Sequence, residues 1–290
     1  MNRLGALAVL VTAVLWGTTG TAAAQTTAGP LAVGAAAMGL GGLGQAALSG
    51  GWRDRGLLRP HPGMLLMGAL CVAAYPLAFY SAMHLAGVAV GTVVSIGSAP
   101  LAAAALERWR DGRRLTRRWV AGAGLGIGGV LLLGLGHGDG RASVPGILLG
   151  LVAGGTYAGY SWAAARLMAA GVPSRTAMGA VFGAGGVLLL PVIAVTVPEL
   201  VAARHGIAVA AYLALVPMCG GYLLFGWGLA RVPVSTALAL TLLEPAVAAL
   251  LAVLVVGERL GAVGWAGAAA IGLCLVVLTV PSRERRTLTR

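Results

Sequence analysis

Apolar stretches long enough to cross a bilayer occupy almost the whole chain, and no other feature narrows its possible folds as far. A spanning helix needs about 20 mostly apolar residues. Ten stretches meet that length within small margins: 4–23, 30–48, 63–84, 88–106, 119–136, 145–168, 177–197, 207–230, 234–256 and 262–280. The longer connections are only GWRDRGLLRPHP and ERWRDGRRLTRR, with a short tail SRERRTLTR, so no room is left for a separate soluble domain. Residues are 59% hydrophobic and 10% charged, too little polar surface for a soluble domain, in which about a quarter of residues are charged. Mean hydropathy is +0.91. The expected fold class is an all-α integral membrane protein.

The start, MNRLGALAVLVTAVLWGTTGTAAAQ, has a basic end, an apolar stretch and an Ala-x-Ala, and it resembles a cleaved leader. The apolar run is long enough to span, and the internal repeat described below needs it, so it is read as the first helix. The 47 glycines follow no Gly-X-Y period and lie inside apolar runs, where small residues let helices pack closely in lipid. Cys71, Cys219 and Cys274 have no paired spacing, so they read as small buried hydrophobes rather than as a disulfide or metal set.

The formal net charge of +12 rests on arginine alone, since lysine is absent. With the N-terminus inside, the cytoplasmic side collects Arg3, Arg53, Arg55, Arg59, every arginine from Arg108 to Arg118, Arg166, Arg175, Arg231 and the tail. Only Arg141, Arg204 and Arg259 fall outside. The positive-inside rule therefore puts both termini in the cytoplasm, as an even number of spans requires. RRLTRR is a topology signal in this reading, and no nucleic-acid partner is expected. Trp52, Trp109, Trp119 and Trp265 lie near span ends and read as interfacial anchors.

The chain also repeats itself. AFYSAMHLAGVAVGT (78–92) lies over LLFGWGLARVPVSTA (223–237), Pro100 falls on Pro245, Gly112 on Gly257, Arg114 on Arg259 and Leu115 on Leu260. After a one-residue gap Trp119 meets Trp265, and Trp16 falls on Tyr157. Five spans per half make the second half enter the membrane upside down, a construction shared by many secondary transporters with a midplane site between the halves. The expected units are 1–140 and 141–290, two inverted five-helix repeats.

The sequence resembles the EamA-type transporters of the drug/metabolite transporter superfamily. The resemblance is carried by AFYSAMHLAGV and the SAP at 98–100, and by LLFGWGLARVP and LTLLEPAVAALLAVLVVGERLGAVGWAGAAAIG (240–272). The last stretch matches the family's Glu-Pro, Gly-Glu-Arg-Leu and Trp-x-Gly. It implies a ten-helix secondary transporter of the bacterial inner membrane, working by alternating access and more often exporting, with amino acids and diverse metabolites among its substrates. The first half has Arg113 where the second has Glu258, so the Gly-Glu-Arg motif is degraded there.

Glu244 is the one acid or arginine near the middle of any span, and its repeat equivalent is Ala99. An ionisable group at such depth is costly, and by default it is functional. Two readings stand side by side: its affinity for protons couples to substrate or conformation, or it is a structural carboxylate bonded across helices. Pro100 and Pro245 each remove an amide, freeing the carbonyls of Ile96 and Thr241. Their matched positions suggest two bent helices crossing at the centre. Polar and aromatic residues gather on some spans: Trp16 and Thr19, Tyr75 and Tyr80, Thr92, Ser95 and Ser98, Tyr157 and Tyr160, Tyr222, Thr241 with Glu244. They are read as an inner set lining a path, each alone equally explicable as interhelical packing. Spans 2, 5, 7 and 10, almost purely Ala, Gly, Leu and Val, are read as the lipid-facing set. His84 reads as interfacial before it reads as a proton relay, and Arg166 as snorkelling to the cytoplasm.

GLGGLG (39–44) and GLGIGG (124–129) fit G-x-G-x-x-G but lie in apolar runs without a βαβ context, so small-residue packing explains them. Ser95, Ser98 and His84 show no motif that completes a nucleophilic triad. With no phosphate-binding loop or metal cluster, neither an enzyme nor a cofactor is expected, and transport would be driven by a proton or solute gradient. A path with one carboxylate and no midplane arginine or lysine disfavours phosphorylated substrates. It favours neutral, zwitterionic or cationic small molecules, amino acids first and hydrophobic cationic drugs second. A membrane enzyme acting on lipid-linked substrates, or a sensor, is the alternative from another class.

Overall fold

The computed structural model describes residues 2–49, 55–86, 88–135, 143–256 and 261–279. Arg53, Trp52, Arg141, Gly257, Glu258, Arg259, Leu260 and the basic tail lie outside the described residues. Every regular element among the described residues is helical: α1 (Arg3–Ala23), α2 (Pro30–Leu48), a short α3 (Arg55–Leu58), α4 (Pro62–Ala86), α5 (Val88–Arg110), α6 (Arg117–Leu135), α7 (Val144–Ala169), α8 (Ser174–Ala202), α9 (Gly206–Leu213), α10 (Tyr222–Leu229), α11 (Val234–Leu240), α12 (Leu243–Leu251) and α13 (Ala262–Thr279). A π-helical stretch, Ala214–Gly221, joins α9 to α10, and another, Ala252–Val256, follows α12.

Eight of these rods are long and apolar enough to cross a membrane: α1, α2, α4, Val90–Arg110 of α5, α8, Gly206–Leu229, Val234–Val255 and α13. α6 and α7, with 19 and 26 residues, coincide with the two remaining apolar stretches. The helix starts follow local chemistry. Asn2 and Ser143 accept the amides of Gly5 and Gly146, and α2 opens on Pro30, whose missing amide is no loss at a first position. α5 and α7 are followed by Gly112 and Gly171 at φ of 66° and 91°, a left-handed turn that only glycine makes without strain.

The stretch that reads both as a leader and as a span is α1, whose Val9, Ala13 and Trp16 are buried in the core. α2 packs along α8, α4 and α5 on α7, α6 on α13, and α1 on α12 and α10. Small residues permit this. A methyl on Gly129 would lie 2.7 Å from the Gly267 carbonyl oxygen, and one on Gly267 2.6 Å from that of Gly129, so α6 and α13 meet backbone to backbone. The division of spans by polarity fails for α2. It is the most buried of the eight rods, at 61% of its apolar window against 28% for α4 and for α13. In lipid, closeness is set by side-chain size, so an apolar, Gly- and Ala-rich helix becomes an inner wall rather than a lipid-facing one. Trp109 and Trp265 are exposed as anchors should be, but Trp119 is buried with Ala103, Ala123 and Leu278 in its cluster.

Candidate functional site

The proline pair behaves asymmetrically. α5 runs unbroken through Pro100, whereas the corresponding rod breaks before Pro245, at Thr241 and Leu242. Pro245 then falls in the first turn of α12, where an amide would have no partner in the helix anyway. The Thr241 carbonyl is not left free, because it accepts the Glu244 amide at 2.9 Å. Glu244 itself sits in that first turn, where a carboxylate opposes the positive end of the helix dipole.

A second irregular backbone faces this break. Pro217 stands inside the π-helical stretch and offers no amide to it, and carbonyls in and beside that stretch take donors from outside. Three side chains from α1 and α2 serve those carbonyls: Trp16 Nε1 donates to Pro217 at 3.0 Å, Gln45 Nε2 to Met218 at 3.0 Å, and Thr12 Oγ1 to Gly221 at 3.2 Å. Non-helical backbone survives at membrane depth only where other groups satisfy it in this way.

Between the two irregularities lies an aromatic cluster. Trp16 packs on Tyr222 at 4.5 Å between ring centroids, on Phe225 at 5.3 Å and edge-on to Tyr157 at 6.1 Å. Tyr75 meets Tyr157 at 5.7 Å and Tyr160 at 5.9 Å, and Phe79 bridges it to Tyr80. Phe182 closes the far side against Tyr222 at 4.4 Å. The Tyr160 and Tyr222 hydroxyls share a hydrogen bond of 2.7 Å. Tyr157 donates to Thr241 Oγ1 at 3.1 Å, which in turn donates to the Leu238 carbonyl at 2.9 Å. α1, α4, α7, α8, α10 and the α11–α12 break are thereby joined at one point.

Glu244 is half-buried beside this cluster, within electrostatic reach of Tyr75, Tyr80, Tyr157 and Tyr222. Among the described residues it has no ion-pair partner; the ion pairs there are Arg113 with Glu107 and Arg166 with Asp111. α1 crosses α12 directly above it, where a methyl on Gly17 would lie 2.6 Å from Val247 and 3.1 Å from the Glu244 carbonyl oxygen.

Of the path residues expected from sequence, the structure brings together Trp16, Tyr75, Tyr80, Tyr157, Tyr160, Tyr222, Thr241 and Glu244. Thr19 bonds back to the Trp16 carbonyl at 2.7 Å, one turn above. Ser95 and Ser98 stand apart. Their hydroxyls bond to Gly91 and Ser95 carbonyls of their own helix, and both lie against Gly150 and Gly154 of α7, a packing position. His84 is exposed at the end of α4, and Arg166 pairs with Asp111 at 3.3 Å rather than only reaching for water.

Sequence reasoning passes over Thr12, Gln45, Phe182, Phe225 and Glu107. Gln45 is the one amide side chain in α2, and that polarity is the signal available for it. Glu107 is 3% exposed at the end of α5. It accepts the amides of Val234 at 2.9 Å and Ser235 at 3.3 Å, together with the Ser235 hydroxyl, and so caps α11 from another helix.

The family model of the EamA-like transporter family matches this chain twice, over residues 3–135 and 144–280. The chain is 35% identical over 290 residues to the uncharacterized transporter YwfM of Bacillus subtilis (strain 168), covering 99% of this chain and 97% of that protein. A solved crystal structure superposes with a TM-score of 0.78 at 24% identity, covering 96% of this chain and 97% of the other, which shows a shared fold. Apolar rods of spanning length, joined at one aromatic centre and matched twice by one family model, lead to one conclusion: this chain is a multi-pass membrane transporter and belongs to the EamA-like transporter family.

Proposed function

We propose that the chain is a secondary transporter of the bacterial cytoplasmic membrane. It exports small neutral, zwitterionic or cationic metabolites, amino acids first, by alternating access between two inverted five-helix halves, 1–140 and 141–290. In this reading all ten long apolar stretches span, and both termini are cytoplasmic. The helix pairings support the symmetry. Two halves exchanged by a pseudo-two-fold axis require contacts that map onto each other. α2 against α8, α6 against α13 and α5 against α11 pair equivalents, while α4 on α7 answers α10 on α1, and α5 on α7 answers α12 on α1.

The observation that carries the reading is Glu244, half-buried without an ion-pair partner among the described residues, in the wall formed by Trp16, Tyr75, Tyr157 and Tyr222. Broken helices at a transporter's midplane present their ends to substrate groups. Here the N-terminus of α12 already carries a carboxylate, which repels an anionic group and attracts an ammonium. Aromatic faces add to that attraction. The same features support hydrophobic cation efflux as the second reading.

Solute counterflow in proteoliposomes tests the proposal without knowledge of a driving ion. Vesicles preloaded with pooled unlabelled amino acids should accumulate a labelled zwitterionic tracer. Accumulation of a labelled hydrophobic cation in its place would move the assignment to multidrug efflux. Accumulation of neither by folded protein would refute both.

A further inference from the structure

The wall between α8 and α10 holds a groove of about 420 Å³ lined by Ser174, Arg175, Leu223, Leu224 and Trp227. None of its lining residues has a role in the proposed transport. α8 begins here and α10 ends here, so the groove sits at one end of both rods, the end assigned to the cytoplasm by the arginines. A groove in a lipid-facing wall is filled by lipid; what remains open is which headgroup sits above it.

Two guanidinium groups decide that. Arg175 is exposed at the start of α8 and spends one donor on the Leu48 carbonyl at 2.5 Å. Arg231 is exposed just beyond α10, with its guanidinium carbon 3.7 Å from the centre of the Trp227 ring and one donor spent on the Trp227 carbonyl at 2.7 Å. A guanidinium carries five N–H donors in a fork that suits phosphate oxygens, so each retains most of its capacity. Among the described residues neither is ion-paired. Trp227 is 36% exposed and lines the groove together with Arg175, its ring carries the Arg231 guanidinium, and Leu223 and Leu224 run from it toward the bilayer core.

We propose that this groove is a binding site for an anionic phospholipid of the cytoplasmic leaflet. One acyl chain lies along Leu223 and Leu224, and the phosphate is held between Arg175 and Arg231 at the edge of Trp227. Basic pockets between spanning helices on the cytoplasmic side select anionic headgroups by this combination of charge and apolar depth. The site rests on the proposed orientation and not on any substrate assignment.

Native mass spectrometry of the purified full chain, titrated with phosphatidylglycerol or phosphatidylcholine of the same acyl chains, reads the site directly. Phosphatidylglycerol should bind more tightly, and Arg175→Gln and Arg231→Gln should each weaken it roughly fivefold while weakening phosphatidylcholine, whose choline offsets its phosphate charge, clearly less. Arg231→Gln is the safer variant, because that side chain bonds only within its own turn. Leu224→Trp fills the groove and should lower binding of both lipids. Arg114→Gln, on the loop after α5, is the control and should change neither. Equal binding of the two lipids, or equal loss in Arg114→Gln, overturns the proposal in favour of a plain apolar crevice or diffuse surface charge. Self-association that excludes lipid would assign the groove to a second copy and overturn it as well. Counterflow is a separate readout, so a failed lipid site leaves the transport reading standing, and the reverse also holds.

Discussion

The junction most exposed to a single substitution is the one Glu107 makes between the end of α5 and the start of α11. The N-cap of α11 is Pro233, which has no side-chain acceptor, so Glu107 does the capping from a different helix. Val234 and Ser235 are 4% and 3% exposed, and Glu107 is 3% exposed. Glu107→Ala therefore strips partners from two buried amides and one buried hydroxyl. A buried donor left unpaired costs about 1–3 kcal/mol, and loss of a helix cap alone about 1 kcal/mol. Taking the low end for each donor, the variant should lose about 3 kcal/mol. Arg113, at 3.8 Å with its side chain 51% exposed, contributes little because solvent screens it. Glu107→Gln keeps one acceptor for Val234 and allows the Ser235 hydroxyl to accept from the new amide, leaving one orphan and a loss of about 1 kcal/mol. Equilibrium unfolding in mixed micelles measures both. Ser235→Ala should cost less in the Glu107→Ala background than in the native chain, a coupling of about 1 kcal/mol. Full additivity, or a Glu107→Ala change within about 0.5 kcal/mol of native, would refute the capping argument.

Other outcomes follow from the same geometry. Gly129→Ala inserts a methyl 2.7 Å from the Gly267 carbonyl oxygen and should cost about 1–3 kcal/mol by overpacking, read as a lower melting temperature. Gly272→Ala, where nothing lies within 4 Å, should stay within about 0.5 kcal/mol of native. Trp16→Phe deletes the donor to Pro217 and should cost about 1 kcal/mol, while Trp16→Ala also empties the centre and should cost about 3–5 kcal/mol. Glu244→Gln keeps the volume of the side chain. If Glu244 is the coupling group, the variant should still bind substrate but lose the pH dependence of tracer accumulation, and native pH dependence there would sink the coupling role.

Much of this architecture is legible before any coordinates. Spanning length and arginine placement depend on composition along the chain, which sequence records directly. The aromatic centre is legible too, because Trp16, Tyr75, Tyr157, Tyr160 and Tyr222 are costly to expose to lipid chains and few enough to converge. What escapes is whatever depends on a partner from a distant helix. Gln45 and Thr12 have meaning only opposite the carbonyls of Met218 and Gly221, and Glu107 only opposite Val234 and Ser235. Pro245 marks a break but not its place, since the chain yields at Thr241 and Leu242 and leaves the proline harmless in the next turn. Ser95 and Ser98 are illegible for a related reason, because a hydroxyl that bonds to its own helix looks in sequence like one that reaches another.

Alternating access around the α11–α12 break is the central claim, and Thr241 tests it most directly because the structure buries it completely, at 0% exposure. Thr241→Cys in a chain with Cys71, Cys219 and Cys274 replaced can be challenged with a membrane-impermeant thiol reagent from either face of oriented vesicles. Labelling from both faces, with substrate changing the two rates in opposite directions, is the predicted result. Labelling from one face only, or from neither during counterflow, would contradict it.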